Sequence, residues 1–158
     1  MGTTMHAHIE VNKDGKWLHY GCPDVRRNYL VFACINGMRK DNFENLPELY
    51  DKIRPVMKKS VIPDDIHSLP EDISEVTKIC LEMDRRDYKL KGFGVIDSED
   101  LENLQQQLNE IYDQFPFTIG FDKKPDLEED IFKTYIGGGA IAAHRYFNDV
   151  RIMFWYDN

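Results

Sequence analysis

The sequence has no uninterrupted apolar run approaching the roughly 18 residues of a membrane-crossing helix, so no membrane partner is expected. Met1 to Val11 carries neither a basic leader nor an apolar core of the kind that directs secretion, and export by a standard signal is not expected either. Cysteine is scarce. Cys22, Cys34 and Cys80 are odd in number and far apart, which argues against a disulfide framework and fits free thiols in a reducing, cytoplasmic compartment. Basic residues are outnumbered, with 20 Lys and Arg against 28 Asp and Glu and a formal net charge of -8. A grip on a phosphate backbone draws its energy from clustered Lys and Arg displacing counterions, so no nucleic-acid partner is expected. The chain also lacks a Gly-x-Ser-x-Gly elbow, a cysteine in a nucleophile pattern and a Gly-Lys-Ser/Thr phosphate loop. Nothing in it declares a catalytic mechanism, and no cofactor is expected.

What is present is enough for a core. A chain of 158 residues, 42% hydrophobic and 12% aromatic, buries about 70% of its unfolded surface when it folds, alone or as a small homo-oligomer. The 30% of charged residues supply a well-solvated exterior.

Met5, Ala7, Ile9 and Val11 alternate with His6, His8 and Glu10, and Asp14-Gly15 precedes Trp17 to Tyr20. The alternation and the Asp-Gly pair predict a hairpin closed by a type I′ turn. In that register Lys13 pairs with Lys16, Val11 with Leu18, Glu10 with His19 and Ile9 with Tyr20. Val25 to Ile35 reads as a helix capped by Asp24 and ended by Gly37, with a buried strand as the rival for Tyr29 to Ile35. Pro47, Pro55, Pro63 and Pro70 break periodicity from Arg39 to Pro70, leaving a long connection with a short helix near Glu48 to Ile53. Ser74 caps a helix from Glu75 to about Arg85, on which Val76, Ile79, Cys80 and Met83 share one face. Gly92 to Ile96 reads as a strand, and Asp97-Ser98 opens a helix whose Leu101, Leu104, Leu108 and Ile111 need burial. A short strand over Phe117 to Phe121 and a helix over Asp126 to Ile136 precede Gly137-Gly138-Gly139. Asp149 to Tyr156 alternates as a final strand. The expected architecture over residues 1–158 is a single α+β domain, an antiparallel or mixed sheet holding the hairpin and the C-terminal strand, covered by helices mainly on one face.

Several blocks carry a likeness: Met5-His6-Ala7-His8-Ile9-Glu10-Val11 with Asp14-Gly15-Lys16-Trp17, Asp24 to Tyr29, Leu69 to Val76, and Asp149 to Asn158. Across about a third of the chain it resembles a group of small proteins encoded by bacteriophages and prophages. Between Asp84 and Asp97 it departs from the polar, His- and Ser-containing segment of that group. The resemblance implies a phage origin and, by analogy, action by binding in the host cytoplasm. An antagonist of host defence that occupies a host protein or sequesters a nucleotide signal is one such role.

Two sets of residues bear on chemistry. Arg26, Arg27, Arg145 and Arg151, with Gly138 in the glycine run and Trp155 as a stacking surface, would suit a small anionic, nucleotide-like ligand if they converge. Salt bridges and solvation explain the same arginines without a ligand. His6, His8, Glu10 and His19 fall on one face of the hairpin and are the candidates for a metal. A solvated or partly covered sheet face is the plainer reading, and no metal is expected there. The reading is thus a non-catalytic, phage-type binding protein for a host protein or an anionic nucleotide. A metal-dependent enzyme on the hairpin face and a virion or structural accessory protein are the alternatives.

Overall fold

A computed structural model describes residues 2–23, 27–57, 69–115 and 149–157. Its centre is a four-stranded antiparallel sheet in the order β2-β1-β4-β3, with β1 at Thr4–Lys13, β2 at Lys16–Gly21, β3 at Leu90–Asp97 and β4 at Val150–Asp157. The helices are α1 (Tyr29–Asn36), α2 (Pro47–Lys52), α3 (Glu75–Asp87) and α4 (Ser98–Gln114), with a 3-10 turn at Lys40–Phe43. The expected α+β class, and the joining of both amphipathic ends in one sheet, are both observed.

The hairpin turns on Asp14 and Gly15 at φ 53° and 83°, the pair of positive values that a type I′ turn demands. Lys13–Lys16, Val11–Leu18 and Glu10–His19 pair as the turn length dictates. Ile9 does not meet Tyr20. A bulge between Ile9 and Glu10 shifts its partner to Gly21, leaving one extra residue on β2. Because β2 is the edge strand, Leu18 and Tyr20 stay exposed while Ile9 and Val11 are buried.

The first helix is helix rather than strand, but it begins later than the sequence suggests. Its cap is Asn28, whose side chain accepts from the Val31 N–H at 3.1 Å, and Gly37 closes it by donating to the Ala33 carbonyl at 2.8 Å. Asp24, Val25 and Arg26 lie outside the described residues. Leu30 to Ile35 are buried without a break, as a helix wedged between sheet and neighbours requires. With Leu49, Ile53, Leu104, Leu108 and Ile111 they pack on Met5, Ala7, Ile9, Val11, Val150, Ile152, Phe154 and Tyr156. Each fully buried aliphatic or phenylalanine side chain there contributes about 1.5–3 kcal/mol. The helix α4 starts on a capping box, with Asp97 accepting from the Asp100 N–H and Asp100 accepting in return. The strand at 117–121, the helix at 126–136 and the glycine run expected from the sequence lie outside the described residues.

The sheet is not covered on one face alone. Arg151, Met153 and Trp155, the alternate residues of β4, are buried like their neighbours, because β4 is a central strand and α3 lies across the second face. Met153 and Trp155 join Leu69, Leu81 and Phe93 in a smaller core. The orientation of α3 departs from its apolar pattern. Thr77 and Leu81 are buried, whereas Val76, Ile79 and Met83 are 49%, 58% and 51% exposed. Polar anchoring rather than apolar burial sets this rotation.

Candidate functional site

The anchor lies where α3 begins. Ser74 caps the helix through the Thr77 N–H, and the Glu10 carboxylate of β1 points at the same turn. Glu10 Oε2 accepts from the Ser74 N–H at 2.8 Å and from the Thr77 hydroxyl at 2.7 Å. A carboxylate at a helix N-terminus meets unpaired N–H groups and the positive end of the helix dipole. The other oxygen, Oε1, accepts from Arg151 Nε and Nη2 at 3.0 and 2.8 Å. Arg151 in turn reaches Asp72 Oδ1 at 3.1 Å and lies 3.9 Å over the Trp17 ring. Burial alone would raise the Glu10 carboxyl, but hydrogen bonds from Thr77, Ser74 and Arg151 outweigh it and hold its pKa below the usual value.

Farther along the same face, Trp155 is fully buried and donates its indole N–H to Asp84 Oδ2 at 2.9 Å. His6 bridges Asp84 and Asp157 at 3.3 and 2.6 Å. His8 stacks on the Trp155 ring with centroids 4.8 Å apart and planes 23° from parallel. Burial, then neighbouring His19 and His6, pull the His8 pKa down to about 4, against a smaller opposing pull from Glu10. The imidazole is therefore neutral at pH 7. Burial also lowers His19, against the pull of Glu10.

Between the hairpin and α3, three potential ligand atoms converge. His8 Nδ1 lies 3.2 Å from His19 Nε2, and Cys22 Sγ lies 3.2 Å from the first and 3.4 Å from the second. Cross-strand geometry brings the rings together, since Glu10 opposite His19 leaves His8 on the same face one step away. Cys22 follows directly on β2 and is exposed. The Cys80 thiol of α3 is hydrogen-bonded to it. Burial first, then Cys80 and Asp84, raises the Cys22 pKa. A cleft of about 380 Å³ runs beside this group, bounded by Met5, His6, His8, Cys22, Met83 and Asp84 among others.

The residues singled out from sequence thus separate. Arg151 is committed to Glu10 and Asp72, and Trp155 is interior. Arg27 donates to the Thr4 hydroxyl at 3.1 Å. Arg26, Gly138 and Arg145 lie outside the described residues. The structure brings none of the described members of the anionic-ligand set into one pocket. Of the four metal candidates, His8 and His19 converge, His6 is taken up by two aspartates and Glu10 by Arg151. The hairpin face is covered rather than solvated, because α3 closes over it. Cys22, Cys80, Asp72 and Asp84 were missed. The spacing His19-x-x-Cys22 was the one signal for the first of these, and the others depend on how α3 docks.

No family model, curated protein or solved structure matches the chain. Among the described residues no helix is long and apolar enough to cross a membrane.

Proposed function

We propose that the protein is a non-catalytic binding module that engages a protein partner through the outward face of α3. The observation that carries this reading is the reversed amphipathicity of that helix: Val76, Ile79 and Met83 line one exposed edge, and Tyr88, just past its end, is 50% exposed. Single exposed apolar residues are ordinary on a soluble protein, but a stripe over about two turns forms a contiguous apolar surface of the kind that contacts use. Lys78, Glu82 and Arg85 flank it and supply the polar rim such surfaces carry. A protein partner is favoured over a small anionic nucleotide because Arg151 is already paired and Trp155 is interior. The phage-type resemblance fits a partner in the host cytoplasm, a reducing compartment in which Cys22, Cys34 and Cys80 remain thiols.

A photo-crosslinking benzophenone side chain at Ile79 tests this in cells producing the chain. A discrete partner should be captured from Ile79, not from Glu102 on α4, and lost when Val76 and Met83 are replaced by Glu. Cross-links confined to the chain's own residues, or equal capture from both positions, would overturn the reading.

A further inference from the structure

We propose that His8, His19 and Cys22 form a three-residue binding site for a zinc-type divalent ion. The case begins with distances. A tetrahedral zinc with bonds of about 2.0–2.1 Å to nitrogen and about 2.3 Å to sulfur holds its ligand atoms about 3.4 Å apart for two nitrogens and about 3.6 Å for nitrogen and sulfur. The three observed separations are 3.2, 3.2 and 3.4 Å, so the atoms already occupy one triangular face of such a polyhedron. Hydrogen bonding satisfies the triangle only by sharing: one ring N–H would have to serve two acceptors and one ring lone pair two donors. One cation accepting three lone pairs satisfies every member.

The surroundings are suited to the task. Stacking on the buried Trp155 fixes the His8 ring, and the β1–β2 pairing fixes His19 opposite Glu10, on the face that His8 shares. Two imidazoles and one thiolate form a borderline-soft donor set, which selects zinc over magnesium or calcium. Each thiol that ligates gives up its proton to solvent, so binding releases acid. The ligands come from β1, β2 and the segment after β2, so the ion would pin the hairpin beside α3, next to the Glu10–Arg151 clasp. This stands independently of any partner on the outer face of α3.

Cobalt(II) titration of the full chain, purified without an affinity tag and kept reduced, is the test. We expect one cobalt per chain, bound with measurable proton release, a thiolate-to-cobalt charge-transfer band, and displacement of the cobalt by one equivalent of zinc. Cys22→Ser and His19→Gln alter exposed or half-exposed positions and should weaken binding at least tenfold while circular dichroism shows the fold retained. Cys80→Ser, beside Cys22 but outside the triangle, should leave the charge-transfer intensity unchanged; a halved band would overturn the three-residue ligand set. A folded wild-type chain without the band, or variants at Cys22 and His19 that bind like wild type, would overturn the site.

Discussion

Glu10 and Arg151 stand directly opposite each other in the β1–β4 register, and the fully buried carboxylate takes two N–H bonds from the guanidinium. Removing either partner strands a buried charge. Glu10→Ala should therefore cost about 3–5 kcal/mol of stability. Replacing both, as Glu10→Leu with Arg151→Met, should cost clearly less than the sum of the single changes. Urea unfolding of the four proteins of this cycle measures the coupling, and additive effects would show that the pair is not the clasp described.

Stability should also fall on the alkaline side. Burial pushes the Cys34 thiol up to about 12, against a smaller pull from Lys40, and lifts Tyr156 well above its usual value. Both groups are neutral in the fold, whereas the unfolded chain ionises them from pH 9.0 and 10.0. Their contribution is complete below pH 9 and is lost as pH rises toward 12, at up to about 1.4 kcal/mol per pH unit for each group. Cys34→Ala should flatten the slope between pH 9 and 10. Parallel curves for the two proteins would contradict the burial of Cys34.

Two glycines with positive φ separate backbone strain from steric exclusion. Gly15 has φ 83° and open space where a Cβ would stand, so Gly15→Ala should cost about 1–2 kcal/mol from conformation alone. At Gly92, with φ 64°, a Cβ would stand 2.5 Å from Met38 Cε and 2.8 Å from Tyr156 Cδ2. Gly92→Ala should be the more damaging of the two in thermal unfolding. The reverse order would place Tyr156 elsewhere.

Charge on the outward face of α3 should be tolerated. Ile79→Glu and Met83→Glu should each change stability by no more than about 0.5 kcal/mol, as surface substitutions do. Losses of several kcal/mol in denaturant titrations would mean that the stripe is buried.

The fold was legible in the sequence where short-range rules decide it. Asp14-Gly15, Gly37, Ser74 and Asp97 each mark a turn or cap through the conformation or hydrogen bond that residue supplies, and the alternation at both chain ends placed β1 and β4 in one sheet. The bulge opposite Ile9 was not legible, since nothing in the alternation distinguishes Tyr20 from the residue that steps out. Nor was the rotation of α3. Its apolar spacing is genuine, but Glu10 of β1 accepts from Thr77 and Trp155 of β4 donates to Asp84, contacts that turn Thr77, Leu81 and Asp84 toward the sheet. The site followed the same division. His8 and His19 could be put on one face by counting from the turn, whereas Cys22 lies past the bulge and Cys80 enters only through the packing of α3.

The central position of β4 has a consequence for synthesis. Among the described residues, 150–157 alone link the β1–β2 hairpin to β3, so in a nascent chain that has emerged as far as residue 149 the described strands form two separate sheet edges. Ile9, Val11 and Ile96 then lack the strand they pack beside, and the carboxylate of Glu10 lacks its guanidinium. Assembly of the sheet must wait until translation has passed residue 157 and the ribosome has released that stretch. Until then the hairpin and α1 present the apolar surface that chaperones hold and proteases probe.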